Sequence, residues 1–259
     1  MKTPFAFESS PNELRFPRGE QVLQLMRQFS ATERVIFGFF AVVAIVTALA
    51  MAWKAHDYFL TPVPARGGSF TEGVIGIPRF INPVIAVSDV ERDLSSIIYA
   101  GLMRYDSGTL VPDLAESYTV SEDGLTYSFT LRSGEEFHDG TPVTADDIEF
   151  TIQKIQDAAI KSPRRADWEN VTVIKTDATH IQFVLKQPYA PFIGNTTIGI
   201  LPKHIWKNVS AEQFTFSQYN IEPIGTGPYK VSSIDRDSGG LPTAYNLTAS
   251  NKYDGKPAY

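Results

Sequence analysis

The sequence contains no cysteine. This absence excludes disulfides, thiolate metal ligands, a thiol nucleophile and a lipid anchor attached to cysteine. Two chemical motifs are also missing, the nucleophile motif Gly-x-Ser-x-Gly and the phosphate-binding motif Gly-Lys-Ser/Thr. The four histidines lack the i, i+4 spacing of a helical zinc pair. We therefore predict a protein that is not an enzyme and that holds no metal and no cofactor.

Positive charge is scarce in most of the chain. Residues 57–259 contain 17 Lys and Arg against 25 Asp and Glu, a balance of −8, whereas residues 1–56 have a balance of +2. Because phosphate recognition needs clustered basic residues, the acidic part excludes nucleic acid as a partner. A negative balance spread over this length favours solubility and does not by itself indicate a cationic ligand.

One long apolar run lies near the start of the chain. Residues 35–53 contain no charge over nineteen positions, and about twenty apolar residues cross a bilayer as a helix. Five basic residues precede this run, and two follow it closely, Lys54 and Arg66. This asymmetry predicts a single-pass helix in the cell membrane with residues 1–34 in the cytoplasm.

We therefore predict four parts: a cytoplasmic segment (1–34), an uncleaved transmembrane helix (35–53), a Pro/Gly-rich linker (54–68) and an extracytoplasmic folded domain (69–259). A cleaved signal peptide is the alternative, because Ala48 and Ala50 form a small-residue cleavage pattern. The polar region before the apolar run is longer than a signal peptide usually carries, which favours the anchor.

The clearest local pattern lies between residues 125 and 150. Apolar side chains at positions 125, 127, 129 and 131 alternate with hydroxyl side chains, which predicts a half-buried strand. Asp139 and Gly140, followed after one residue by a proline, predict a tight turn. Thr144 then stands three residues before Asp147 in an N-cap arrangement, and isoleucines recur at helical spacing. The pattern predicts a strand, a turn and a helix in that order.

Similar patterns predict the other elements. Ser88 and Glu91 form a capping box at the start of a helix over residues 89–101, and a short helix is predicted at residues 20–30. Further strands are predicted at residues 69–76, 117–120, 171–176, 180–185, 231–234 and 245–249. The segment Gly225-Thr226-Gly227 is predicted to be a backbone bend, because the proline that follows removes an amide needed for a phosphate cradle.

Several blocks resemble, in the same order, the extracytoplasmic solute-binding proteins of peptide and nickel ABC importers. They are Ile81-Asn82-Pro83, residues 110–117, the strand-turn-helix block 125–150, residues 224–229 and residues 251–257. The resemblance covers about residues 69–259. It implies an α/β fold, the mixed-sheet lobe of a two-lobed, type II periplasmic-binding-protein-like fold, here preceded by one transmembrane helix. Family members continue well past the last block, so we expect the opposing lobe and the C-terminal part to be absent from this chain.

The resemblance implies the function of a solute-binding component of an ABC transporter. Such a protein captures a peptide, or another small solute such as a nickel complex, by hinge closure between two lobes and without covalent chemistry. It delivers the solute to permease subunits in the membrane and acts as a monomer. Because tight binding needs the opposing lobe, we expect residues 57–259 alone to bind peptides weakly or not at all.

The resemblance also implies where the ligand binds. In the family, the loop around Ile81-Asn82-Pro83 passes close to the ligand, and the loop that ends at Trp168 projects over the cleft. The implied ligand-binding residues are Ile77, Pro78, Arg79, Phe80, Trp168, Thr197, Ile198 and Gly199. Two structural alternatives stay open: the prolines stiffen a loop with or without a ligand, and Trp168 is an anchor folded onto the domain.

Two other functions stay open. A membrane-anchored hydrolase would use His138 as a base that Asp139 orients, although no nucleophile motif accompanies the pair. A sensory or structural module that has lost transport would share all the family blocks. Asp146, Asp147 and Glu149 are predicted to be solvated carboxylates favoured by a helix start, rather than a cation site.

Overall fold

The structure, a computed structural model, describes residues 30–59, 67–251 and 253. Spatial contacts divide the chain into two units, Met1–Pro64 and Ala65–Tyr259, and each unit is described by itself. The helix predicted at residues 20–30 lies outside the described residues except for Ser30. Linker residues 60–66 and residues 252 and 254–257 of the last family block also lie outside them.

In the first unit the structure describes one helix, α1, over Ala31–Phe59. Its start is capped by Ser30, which donates its backbone N–H to Glu33 and accepts the N–H of Glu33 at its hydroxyl. The stretch Ala31–His56 is long and apolar enough to cross a membrane, and its most apolar part is not buried in the structure. The helix extends beyond both ends of the predicted apolar run, because no proline or glycine interrupts the flanking residues.

The second unit begins with a segment that differs from the prediction. Residues 67–88 contain no helix and no strand, so the strand predicted at residues 69–76 is wrong. A strand needs a neighbour that satisfies its backbone hydrogen bonds, and none of the described strands pairs with this segment. The apolar side chains of Phe70 and Ile75 are exposed there.

Helix α2 follows over Asp89–Ile98, and the predicted capping box of Ser88 and Glu91 is formed. The helix ends before the predicted Gly101. The reason is that Tyr99 adopts an extended conformation, while the carbonyl of Ile98 accepts a hydrogen bond of 2.8 Å from the N–H of Gly227.

Antiparallel pairing joins the strands of the second unit. The described strands are β1 (Met103–Asp106), β2 (Thr109–Pro112), β3 (Ala115–Val120), β4 (Thr126–Leu131), β5 (Val171–Lys175), β6 (His180–Leu185), β7 (Tyr229–Arg236) and β8 (Pro242–Ala249). A four-stranded sheet has the order β3-β4-β6-β5, and β1-β2 and β7-β8 form two-stranded sheets. The parallel pairing that a mixed sheet implies is not seen among these described strands.

The structure describes four further α-helices in the second unit. They are α3 (Ala145–Gln156), α4 (Arg165–Trp168), α5 (Phe192–Asn195) and α6 (Lys203–Trp206). The predicted N-terminal cap of α3 is present, with Thr144 and Asp147 in a capping box, and the isoleucines at positions 148, 152 and 155 are buried. Helices and strands thus confirm the α/β class that the sequence predicts.

The core lies on the apolar face of the four-stranded sheet. Along β4, Tyr127, Phe129 and Leu131 are buried while the residues between them are half-buried, which confirms the predicted alternation. The ring of Phe129 contacts the ring of Phe183 on β6 with a centroid distance of 5.6 Å, and Phe183 contacts Trp168 at 5.4 Å. These edge-to-face contacts join the sheet to α4.

The core assignment predicts unequal effects of two neighbouring substitutions. Phe129→Ala is expected to lower the free energy of unfolding by about 3 to 5 kcal/mol, because it removes a buried ring and leaves a cavity. The matched change Thr130→Ala, on the opposite face of the same strand, is expected to have a far smaller effect. Urea titration of the full chain measures both changes. Small and equal losses would show that the assignment of the two faces is wrong.

Candidate functional site

The first predicted ligand segment, residues 77–80, lies in a loop whose backbone is fixed by Glu91. One carboxylate oxygen of Glu91 accepts the N–H groups of Arg79 and Phe80, and the other accepts those of Val87 and Ser88. Each of the four distances is 3.0 Å, and Glu91 is 4% exposed. One buried carboxylate therefore holds both ends of the loop that precedes α2.

The charge state of Glu91 follows from these contacts. Burial acts to raise the pKa of Glu91, but the four N–H donors together outweigh burial, and the pKa lies below its ordinary value. The carboxylate is thus ionised at neutral pH. The sequence identifies only the capping half of this arrangement, because the contacts to Arg79 and Phe80 have no signature in residue spacing.

Within the Ile81-Asn82-Pro83 triplet, Ile81 and Asn82 form a buried network of hydrogen bonds. The side-chain amide of Asn82 donates to the side-chain oxygen of Asn220 at 3.0 Å, and its own oxygen accepts the N–H of Val84 at 3.0 Å. The N–H of Ile81 donates to the backbone carbonyl of Asn220 at 2.8 Å. Both asparagines are buried, so this part of the family block holds the loop in place and its amide is not available to a ligand.

The four predicted residues of this loop differ in exposure. Ile77 is 56% exposed, Pro78 is buried, Arg79 is exposed and Phe80 is half-buried. The guanidinium carbon of Arg79 lies 5.1 Å from the centroid of the Phe80 ring, within the range of a cation–π contact. Three of the four side chains therefore offer surface to a ligand.

The second predicted segment, Thr197 to Gly199, ends at a glycine that lies close to Pro83 and Tyr99. A Cβ atom added at Gly199 would lie 2.5 Å from Cβ of Tyr99 and 3.3 Å from the ring of Pro83. Only glycine allows this approach without a shift of the neighbouring atoms. Gly199 therefore lies against Pro83, which follows the predicted residues 77–80 along the same loop.

Trp168 occupies a different position. Its side chain is fully buried, and its ring contacts Phe183 and also Phe192, at a centroid distance of 5.3 Å. The indole presents no surface to a ligand in this structure. The burial of the ring agrees with the alternative in which Trp168 anchors its loop to the folded domain.

The residues of the hydrolase alternative do not form the predicted pair. His138 Nδ1 accepts the N–H of Gly225 at 3.3 Å, and its Nε2 lies 3.0 Å from the carbonyl oxygen of Gly227. Burial lowers the pKa of His138, and the hydrogen bond to Gly227 offsets only part of this effect. Asp139 instead contacts His204, with 2.8 Å between its oxygen and Nε2. Asp139 therefore does not orient His138 as the hydrolase alternative requires, and both residues lie in a turn.

Gly225 and Gly227 are needed for a close approach of two backbones. An added Cβ would lie 2.1 Å from the carbonyl oxygen of Ile98 at Gly225, and 2.6 Å from that of Ile97 at Gly227. Between them, the hydroxyl of Thr226 accepts the N–H of Ala100 at 3.1 Å. The predicted backbone bend is confirmed, and its glycines are required by the end of α2.

The acidic cluster at the start of α3 is occupied by protein partners. Asp146 contacts Lys175 and Lys203 at 2.9 Å each, and Asp147 accepts the N–H groups of Thr144 and Lys203. Asp147 is buried, so it is not the solvated carboxylate that the sequence predicts. In the part of the chain that the structure describes, no group of three His, Asp or Glu side chains could hold a metal ion.

Two shallow pockets lie away from these segments. One, of about 320 Å³, is lined by the polar face of the four-stranded sheet, including Ser128 and His180. The other, of about 400 Å³, lies between α3 and β5 and is lined by Glu149 and Arg165, among others. Neither pocket includes a predicted ligand-binding residue.

Residues 109–259 match the family model described as bacterial extracellular solute-binding proteins, family 5 Middle. The chain therefore belongs to this family of solute-binding proteins. It is 33% identical over 172 residues to the oligopeptide-binding protein AppA of Bacillus subtilis. The aligned region covers 64% of this chain and 32% of that relative. The dipeptide-binding protein of Escherichia coli is 31% identical over 187 residues, with coverage of 63% and 35%.

Solved structures agree with this assignment. NikZ from Campylobacter jejuni in complex with Ni(L-His) matches with a TM-score of 0.61 at 32% identity, over 69% of this chain and 34% of that one. AppA from Bacillus subtilis in complex with a nonapeptide matches with a TM-score of 0.63 at 30% identity, over 70% and 36%. The chain thus spans about a third of the length of these relatives. The matches confirm the periplasmic-binding-protein fold class, and relatives named as binding proteins agree with the prediction that the chain is not an enzyme.

The close approach at Gly225 gives a second stability prediction. Gly225→Ala is expected to lower the free energy of unfolding by about 3 kcal/mol or more, because the new methyl group overlaps the Ile98 carbonyl. Gly239→Ala is the matched control, since that glycine is exposed and its nearest neighbour is the flexible side chain of Asp237. Chemical denaturation of both variants measures the difference, and similar midpoints would contradict the packing role of Gly225.

Proposed function

We propose that this chain is a membrane-anchored, extracytoplasmic solute-binding component of an ABC importer, which captures peptides or similar small solutes. One observation carries the proposal: residues 109–259 match the model of this family of solute-binding proteins. The exposed side chains of Ile77 and Arg79, in the first predicted ligand segment, support it. Relatives named for oligopeptides and dipeptides support a peptide ligand. A relative crystallised with Ni(L-His) supports a small metal complex as the other solute class.

In the proposed complex, the loop supplies side-chain contacts and the second segment supplies backbone contacts. Ile77 offers exposed apolar surface, and Phe80, Thr197 and Ile198 are half-buried. Extended peptides held largely through their backbone are recognised with loose side-chain specificity. Trp168 is buried against Phe183 and Phe192, and in this proposal it stabilises the core rather than covering the ligand.

Residues 69–259 supply one lobe of the proposed binding cleft. Closure of an opposing lobe removes water from the charged ends of a peptide, which strengthens polar contacts to the protein. Binding through one lobe alone is therefore weak. The loaded protein, acting as a monomer, hands its solute to permease subunits in the membrane, and the process requires no covalent chemistry.

Helix α1 is the proposed anchor. Its stretch Ala31–His56 has the length and composition of a membrane span. The excess of basic residues before the span favours a cytoplasmic N-terminus, which leaves the second unit outside. The hydrolase alternative is not proposed, because the proximity of His138 and Asp139 in the sequence is not matched by a hydrogen bond between their side chains.

The anchor proposal predicts membrane retention that depends on the apolar character of α1. The full chain is expected to remain in the membrane fraction after alkaline washing, with an intact mass that includes residues 1–34. The double variant Val42→Arg, Ile45→Arg is expected to lose retention, because each charge at a helix centre opposes insertion by about 2.5 to 3.5 kcal/mol. Val42→Leu with Ile45→Leu is the control. A mature N-terminus at Met51 would contradict the uncleaved anchor.

The ligand proposal predicts weak but localised peptide binding. In the full chain in detergent, NMR titration with short peptides is expected to shift signals of residues 77–80 and 197–199. Ile77→Ser should weaken binding about tenfold, the loss expected when an apolar side chain no longer covers the ligand. Ile174→Ser is the matched control, because Ile174 is also exposed, at 44% against 56%, and lies on β5. Equal effects of the two changes, or no binding at millimolar peptide, would contradict the proposal.

A further inference from the structure

Arg79 differs from the other arginines that the structure describes in the second unit. Six of them bond to a carboxylate or a backbone carbonyl within the chain, namely Arg92, Arg104, Arg132, Arg164, Arg165 and Arg236. The guanidinium of Arg79 has no such partner among the described residues, and its described side-chain contact is with the Phe80 ring. Among the described residues this guanidinium has no carboxylate partner, although the sequence from residue 57 onwards carries 25 acidic residues.

We propose that Arg79 is the specificity-determining residue that binds a carboxylate of the solute, and that Glu91 and Phe80 hold it ready for this contact. The proposal rests on the proposed function and names its ligand class: solutes with a free carboxylate, such as the C-terminus or an acidic side chain of a peptide. A planar guanidinium suits this group because it can form two parallel, charge-assisted hydrogen bonds to the two carboxylate oxygens.

The backbone at Arg79 is fixed before any ligand arrives. Its N–H and that of Phe80 donate to the same oxygen of the buried Glu91, at 3.0 Å each. The other oxygen of Glu91 holds Val87 and Ser88, so the loop is closed around one carboxylate. A fixed backbone reduces the conformational entropy that a surface arginine loses when it binds an anion.

The side chain of Arg79 is also restricted. Its guanidinium lies over the half-buried ring of Phe80, and this contact leaves the N–H groups at the edge of the guanidinium plane free for an acceptor. Glu91 accepts four backbone N–H groups and no described N–H of the Arg79 guanidinium. Arg79 therefore combines a guanidinium that has no described acceptor with a fixed backbone, close in the chain to the exposed Ile77.

Acetate is the probe that tests this assignment without requiring peptide uptake. The full chain, labelled with ¹⁵N-arginine and held in detergent, is titrated with acetate against chloride at matched ionic strength. The Nε–H signal of Arg79 is assigned by its loss in Arg79→Lys, and that of the exposed Arg165 is the internal control. We expect a saturable response of Arg79 to acetate, about tenfold stronger than that of Arg165, as one charge-assisted pair provides. Equal responses would overturn the proposal.

The positioning role of Glu91 is tested in the same titration. Glu91→Gln replaces one acceptor oxygen by an amide that faces two N–H donors, so the Arg79 response should fall towards that of Arg165 even though the guanidinium is retained. Glu169→Gln, at an exposed carboxylate, is the control. Hydrogen exchange should become faster at Arg79, Phe80, Val87 and Ser88 in Glu91→Gln. An unchanged acetate response in Glu91→Gln would show that Glu91 does not position Arg79 for the carboxylate.

Peptides separate this inference from the proposed function. The full chain is titrated with trialanine and with trialanine amide, and Arg79→Gln is compared with Arg165→Gln. Preference for the free acid that is lost only in Arg79→Gln supports the assignment. Equal binding of acid and amide overturns the role of Arg79 but leaves peptide capture in place. If Arg79 responds to acetate but no peptide binds, peptide capture is contradicted and the assignment of Arg79 as a carboxylate-binding residue stands.

Discussion

The folded unit depends on backbone fixation at the two ends of α2. At the first turn, the carboxylate of Glu91 accepts four backbone N–H groups and closes the preceding loop. At the last turn, the carbonyl of Ile98 accepts the N–H of Gly227, in a gap too narrow for a Cβ atom at Gly225. Buried backbone groups must find partners inside the protein, since water does not reach them. The contacts at the two ends of one short helix therefore hold the loop before it and the bend that leads into β7.

The features that could be predicted from the sequence are those that depend on neighbouring residues. Both capping boxes, at Ser88 and at Thr144, are formed, and the alternation along β4 gives the correct buried face. These patterns are local: a capping box needs two residues three positions apart, and strand alternation repeats every two residues. The collinear family blocks added the fold class, which local patterns alone do not specify.

The features that the sequence did not reveal depend on distant partners. The segment at residues 69–76 has the composition of a strand, but strand formation also requires a hydrogen-bonded neighbour, and none is seen among the described residues. Trp168 ends a polar loop, a pattern compatible with a ligand contact or an anchor, and only its packing on Phe183 and Phe192 distinguishes the two. Asp139 stands beside His138 in the chain but bonds to His204, 65 positions away.

The same fixation has a consequence for binding energy. A flexible loop loses conformational entropy when a ligand orders it, and that loss lowers the affinity. Here the polar groups that order the loop, Glu91 and the Asn82–Asn220 pair, are buried and satisfied in the protein itself. The conformational entropy that ordering the loop costs is therefore lost when the protein folds, and not when a ligand binds. In the proposed complex, such a lobe would bind a solute weakly with little rearrangement, and the gain in affinity would come from closure of an opposing lobe, which removes water from the contacts already made.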